Sequence, residues 1–366
     1  MKILDKVSKE IQSLKPYEPG RPIEDVAREL GLDPDTISKL ASNESGLGPS
    51  PLAMAALKEA LDDMHRYPDG GAFLLKERLS KTFDMPADSF IIGNGSNEIL
   101  ELVGHCFLNP NSSAVFSDYA FVVYRLVSVM FGAEMIIVPT KEGFISDLDA
   151  IYESIREDTS VVFLCSPSNP TGRSISPEAF DAFMDKVPEH VLVVMDEAYA
   201  EIALCPQADS LSYVREKRPI IVTRTFSKAY GLAGLRIGYG IAAPEIIHVL
   251  NQARQPFNVN LAAQVAATAA LDDTDFVSHC ISLYREAKAY IEGECTGMSL
   301  EFVPSDANFM LIKVGDGDGV FKEMQTLGLI VRPMSGYGLA DYIRISYGTM
   351  DENRRFIAGL KKCLDK

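Results

Sequence analysis

The chain has 366 residues, of which 47% are hydrophobic and 23% charged, and its formal net charge is -16 at pH 7. That length allows roughly two domains with ample core, and the composition is that of an ordinary globular protein, not a disordered or fibrous one. The acidic balance argues against non-specific nucleic-acid binding, which needs a basic surface, but leaves room for a small anion held by a few local arginines.

The opening run MKILDKVSKEIQSLKP has no apolar core of signal-peptide length, and no apolar run approaches a membrane span, so a cytoplasmic location is expected. Six cysteines (Cys106, Cys165, Cys205, Cys280, Cys295, Cys363) are scattered without C-x-x-C pairing and read as free thiols of a reducing compartment. The five histidines show no metal-ligand spacing, so no metal is expected and each reads as structural.

The first 45 residues carry no strand series and are expected to pack on the C-terminal part. Pro49-Ser50-Pro51 opens a helix through about Asp62, and a second helix runs from about Ala72 to Phe83. Strands follow at Phe90–Ile92, Ala114–Ser117, Met135–Val138, Val161–Cys165, Val191–Met195, Ile220–Thr223 and Ile237–Ile241. Helices at about Asn97–Phe107, Phe121–Phe131, Leu148–Ile155 and Pro177–Lys186 separate most of them. The strands are near-continuous Val/Ile/Leu/Phe, as expected of a mostly parallel sheet with helices on both faces.

After Ala243-Pro244 a long helical region runs from about Glu245 to Gly293, broken near Pro256 and Asp272-Asp273. A smaller α+β unit closes the chain: strand Phe309–Val314, helix Val320–Leu327, strands Leu329–Arg332 and Tyr342–Ser346, and a helix from Asp351. The expected fold is therefore α/β, with a three-layer αβα large domain over 46–250. A small α+β domain is built from 1–45 and 251–366.

Ligands of open α/β sheets bind at the carboxyl ends of strands, and four candidate groups fall there. Gly93-Asn94-Gly95-Ser96-Asn97-Glu98 opens a helix, whose free N–H groups suit an anion, although these residues alone read more readily as a plain glycine turn. It lacks the third glycine and the acidic partner of a dinucleotide fingerprint. Ser168-Asn169-Pro170-Thr171-Gly172 is a turn by composition. Asp196-Glu197-Ala198-Tyr199 ends a buried strand with an acid that is either a helix cap or a functional carboxylate. Thr225-Phe226-Ser227-Lys228-Ala229-Tyr230-Gly231 sets a lysine after an apolar run, among hydroxyls and with Arg236 eight positions on. A nearby cation and partial desolvation both disfavour an ammonium ion, as Schiff-base chemistry requires.

Together the four groups supply what pyridoxal 5'-phosphate needs. Lys228 is the amine for its aldehyde, and Asp196 the carboxylate that keeps its ring nitrogen protonated. Asn169 and Tyr199 donate to the phenolate oxygen, and Tyr119 stacks on the ring. Gly95, Ser96, Asn97, Thr225, Ser227 and Arg236 form the phosphate end.

These residues resemble the fold-type I, aspartate-aminotransferase-like superfamily through Ser168–Gly172, Asp196–Tyr199 and the Ser227-Lys228-Ala229 loop with Arg236. The histidinol-phosphate aminotransferases within it are similar at Lys15-Pro16-Tyr17, Asn43-Glu44, Gly48–Pro51, Arg66-Tyr67-Pro68, Gly328–Arg332, Tyr337-Gly338-Leu339 and Ile343–Thr349. The resemblance implies transamination between histidinol phosphate and 2-oxoglutarate, giving imidazole acetol phosphate and glutamate. Lys228 is both the covalent partner of the cofactor and the base. The resemblance further implies substrate binding by Tyr17, Asn43, Arg332 and Arg344. It also implies a homodimer in which Tyr67 reaches the partner's cofactor phosphate. Guanidinium forks suit both half-reactions because they accept carboxylate and phosphate alike. Two positions depart from the pattern: Asn43-Glu44-Ser45-Gly46 lacks the usual proline, and Asn97 stands where an acid is frequent. Phenylalanine or tyrosine aminotransferases, and a threonine-phosphate decarboxylase-like lyase, share most of the cofactor residues.

Overall fold

The computed structural model describes residues 3–14 and 20–364. Ser38–Lys39 forms a short strand, β1. The main sheet then takes β2 (Phe90–Gly93), β3 (Ser113–Ser117), β4 (Glu134–Val138), β5 (Thr159–Cys165), β6 (Leu192–Asp196), β7 (Ile220–Thr225) and β8 (Gly238–Ala242). Their order is β2-β8-β7-β6-β5-β3-β4. Within the sheet only β8 is antiparallel to its neighbours, pairing β2 on one side and β7 on the other.

Strand alternation sorts this sheet into two cores. Leu192 and Val194 of β6 face one core with Ile91, Phe116 and Phe163. Val193 and Met195 face the other with Ile92, Leu164 and Val222. Helices Gly95–Phe107, Val122–Met130 and Pro244–Ala253 cover the first face through Ile99, Val103, Tyr124, Val127, Ile247 and Leu250. Helices Phe73–Phe83, Pro177–Met184, Ser210–Arg215 and Leu261–Ala270 cover the second. This is the three-layer arrangement expected from the uninterrupted apolar strands. The helix at Ser210–Arg215 is an addition to the expected set.

A second sheet contains β9 (Phe302–Val303), β10 (Phe309–Lys313), β12 (Arg332–Pro333) and β13 (Tyr342–Ser346), in the order β12-β13-β10-β9. The strand expected over Leu329–Arg332 is in fact two. Leu329–Ile330 forms β11 and pairs parallel with β1, while Arg332–Pro333 passes to β13. The chain changes sheets at Val331 because two partners compete for it: the N-terminal segment on one side and β13 on the other. The N-terminal segment is thereby tied to the C-terminal part, as Ser346 N–H donating to the Leu40 carbonyl at 2.9 Å also shows. Among the described residues no helix is long and apolar enough to cross a membrane.

Candidate active site

The C-terminal ends of β2, β5, β6 and β7 lie on one edge of the main sheet. Because β8 runs the other way, its N-terminal end lies on that edge too, and the loop from β7 to β8 brings Arg236 back to the start of helix Gly95–Phe107. A cavity of about 390 Å³ opens there.

Lys228 lines this cavity on the loop after β7, and its Nζ donates to the Ser42 carbonyl at 3.0 Å. The loop is clamped from behind. Gly231 has φ 68°, and a Cβ there would stand 2.1 Å from the Gly48 carbonyl oxygen, so only glycine allows the approach. Ser50 N–H then donates to the Tyr230 carbonyl at 3.0 Å, which joins the Gly48-Pro49-Ser50 turn to the lysine loop. Burial, followed by the Arg344 and Arg236 charges, lowers the Lys228 amine to about 8, while Glu44 opposes them. A free amine is therefore available near neutral pH.

Asp196, at the end of β6, is 2% exposed. Burial pushes its carboxyl up to about 6, against two side-chain hydrogen bonds and one from the Ala198 backbone that hold it down. Tyr124 Oη donates to Oδ2 at 2.8 Å and Thr223 Oγ1 donates to Oδ1 at 3.1 Å. Neither partner was marked by the sequence, where Tyr124 reads only as one apolar position of an amphipathic helix.

The anion end is built from three segments. Ser96 and Asn97 lie in the first turn of helix Gly95–Phe107, whose leading N–H groups have no intrahelical partner. Thr225 Oγ1 accepts the Ser227 N–H at 3.1 Å, which shapes the turn that carries Ser227. Arg236 Nη1 lies 3.5 Å from Ser227 Oγ and donates to the Ala233 carbonyl at 2.9 Å. Gly95 has φ 74°, and a Cβ there would stand 2.7 Å from Arg236 Nη2. A side chain at 95 would thus fill the space between the helix terminus and the guanidinium.

At the substrate side, β12 and β13 pair so that Arg332 stands opposite Arg344, and both line the cavity. Like charges directly opposite one another destabilise a strand pair, so this register favours an anion between or beside them. Arg344 donates from Nη1 to Asn169 Oδ1 and from Nη2 to the Ala41 carbonyl at 3.0 Å. With its oxygen so occupied, the Asn169 amide is left with Nδ2 as its donor. Asn43 is buried beside Tyr199, its Nδ2 2.9 Å from Tyr199 Oη.

Three expected positions fall elsewhere. Tyr119, expected to stack on the ring, has φ 46° and sets its ring edge-on to Phe144 at 5.2 Å, lining neighbouring hollows. Phe121 lines the cavity instead. It caps helix Val122–Met130, and only the turn between β3 and that helix decides which aromatic points inward. Tyr67 is 84% exposed, with its ring stacked on Phe257 at 5.0 Å, and does not line this cavity. Tyr17 lies outside the described residues. Tyr337 joins Arg332 on the wall; the sequence had placed it in a motif without a role.

Residues 35–360 match the family described as aminotransferase class I and II. The chain is 46% identical over 364 residues to the histidinol-phosphate aminotransferase of Akkermansia muciniphila, with 100% of both chains covered. It is 45% identical over 356 residues to histidinol-phosphate aminotransferase 2 of Pseudomonas fluorescens strain Pf0-1, covering 97% of this chain and 96% of the relative. Among solved structures, histidinol-phosphate aminotransferase from Sinorhizobium meliloti in complex with pyridoxal 5'-phosphate superposes with a TM-score of 0.88. It is 27% identical, with 98% of each chain covered. With a lysine, a buried carboxylate and an anion cradle on one sheet edge, and a family match over most of its length, the chain belongs to the class I and II aminotransferases.

Proposed function

We propose that the protein uses pyridoxal 5'-phosphate to move the amino group of histidinol phosphate to 2-oxoglutarate. The observation that carries the reading is the cross-strand pair Arg332 and Arg344 on the wall of the cavity that holds Lys228. Full-length likeness to histidinol-phosphate aminotransferases supports it.

The residues fit the cofactor. The helix terminus at Ser96, with Ser227 and Arg236 beside it, suits a phosphate, the lowered Lys228 amine suits an aldehyde, and Asp196 suits a cationic ring nitrogen. When bound, pyridoxal 5'-phosphate supplies that aldehyde and a ring that draws electrons from the substrate's Cα. Ser96, Ser227, Arg236 and the helix terminus would bind the phosphate. Asp196, kept in place by Tyr124 and Thr223, would hold the proton on the ring nitrogen. Asn169 Nδ2 and Tyr199 Oη would donate to the ring oxygen. Lys228 Nζ would hold the cofactor's aldehyde and would serve as the base for the proton on the substrate Cα. Arg332 and Arg344 orient the substrate through its phosphate or carboxylate in either half-reaction, since one fork geometry accepts both.

A cytoplasmic homodimer belongs to the same reading. Tyr67 is exposed, as are Leu61, Phe73 and Leu74 near it in sequence (56%, 61% and 70%), and such apolar side chains suit a second copy, in which Tyr67 would reach the partner's phosphate end. The test is an amino-donor panel with 2-oxoglutarate on purified enzyme. Histidinol phosphate is expected to give the highest kcat/KM. A higher value with phenylalanine or tyrosine, or carbon dioxide release without consumption of the oxo acid, would overturn the assignment.

A further inference from the structure

We propose that Asn43 and Ser346 form a polarity lock that makes the Tyr199 hydroxyl a donor toward the cavity; the inference rests on the cofactor reading above. The two residues are 303 positions apart in sequence and both are buried, at 1% and 3% exposed.

The direction of each hydrogen bond follows from the one before it. The Asn43 backbone N–H donates to Ser346 Oγ at 2.7 Å. The Ser346 hydroxyl has one proton, and the Asn43 side chain stands 3.0 Å away to receive it. The structure sets Oδ1 there as the receiving atom, and an amide nitrogen could not accept that proton. That fixes the amide flip and leaves Nδ2 as the atom 2.9 Å from Tyr199 Oη, where it donates. Asn308 Nδ2 donates to the Asn43 carbonyl at 3.3 Å and anchors the segment.

Tyr199 Oη thus has an accepting position filled from behind, and its own proton is left for the cavity. The ring is held at 2% exposure, edge-on to Phe309 at 5.3 Å. Burial also pushes the phenol well above its ordinary value, so it keeps that proton. Asn43 itself has φ 54°, a left-handed backbone that asparagine and aspartate tolerate better than most residues. The resemblance implied a substrate ligand at this position. The hydrogen bonds make it a positioning residue for Tyr199, with Ser346 as its support.

The consequence is measurable on the nitrogen of Lys228 once the cofactor is attached. The ring oxygen shares its charge between the proton on that nitrogen and the donor from Tyr199. Without the Tyr199 donor, the oxygen holds the nitrogen's proton more tightly, and its deprotonation moves to higher pH. Asn43→Asp keeps shape and backbone but presents an acceptor on both branches, so Tyr199 turns its proton away from the cavity.

The experiment follows the visible absorption band of the loaded protein against pH in wild type, Asn43→Asp, Tyr199→Phe and the double variant. Asn43→Asp is expected to move the transition upward by about one pH unit, as Tyr199→Phe does, and the double variant to move no further than Tyr199→Phe. Ser346→Ala is expected to give a smaller shift in the same direction, which Ser346→Thr restores because it keeps the hydroxyl. An unmoved transition in Asn43→Asp, or a shift that adds fully to that of Tyr199→Phe as a bare charge effect would, overturns the lock. Failure of the wild type to form a visible band would instead refute the cofactor reading beneath it.

Discussion

Tyr124→Phe isolates the hydrogen bond that keeps Asp196 ionisable. Tyr124 is 1% exposed, and its ring stacks on Phe163 at 4.8 Å and 6°, a contact phenylalanine preserves. What is lost is one donor, 2.8 Å from Asp196 Oδ2. A hydrogen bond to a charged group contributes about 1.5–3 kcal/mol, which corresponds to a pKa change of roughly 1–2. Asp196 stands at about 6 with the donor in place, so the variant carboxyl should titrate at roughly 7.5. If only ionised Asp196 holds the cofactor's ring nitrogen, affinity scales with the ionised fraction. The ratio of variant to wild-type dissociation constants should then be ~15 at pH 6, ~4 at pH 7 and near 1 at pH 9, apart from any pH-independent factor. Equilibrium titration of the unloaded protein with pyridoxal 5'-phosphate, followed by absorbance, measures it. A ratio that stays constant from pH 6 to 9 would refute the argument, because lost packing carries no pH dependence.

Three further outcomes follow from the same electrostatics. Asp196 is raised in the folded protein, so between about 4 and 6 the native state binds the extra proton and stability falls as pH rises. Asp196→Asn should remove that slope from urea midpoints of the unloaded protein, and an unchanged slope would assign it to another group. Lys228 at about 8 leaves ~10% free amine at pH 7, so the rate of covalent cofactor capture should rise ~10-fold per pH unit below 8 and level above it. Stopped-flow absorbance that still climbs at pH 10 would return the amine to its ordinary value. Arg344→Lys keeps the charge but loses the fork to Asn169 and the Ala41 carbonyl, and the KM for 2-oxoglutarate should rise ~10-fold. An unaltered KM would remove Arg344 from the substrate site.

The sequence by itself determined the layered fold and the chemical core of the site. Uninterrupted apolar runs such as Leu192–Met195 and Ile220–Val222 imply strands covered on both faces, and β6 and β7 are so covered. The polar groups that end those runs must emerge at one edge of a parallel sheet. Lys228, Asp196, Asn169 and Tyr199 were legible for that reason, since each ends its strand or follows it within a few residues. Local pattern carries no information about partners that meet across the fold. The antiparallel course of β8 returns Arg236 to the helix terminus, and a register of β12 on β13 sets Arg332 against Arg344. The turn before helix Val122–Met130 aims Phe121 inward in place of Tyr119. Tyr124 beneath Asp196 and Ser346 behind Asn43 look like ordinary core positions in the chain. They gain their roles only because the packed structure excludes water there and leaves each buried polar atom to find its partners within the protein.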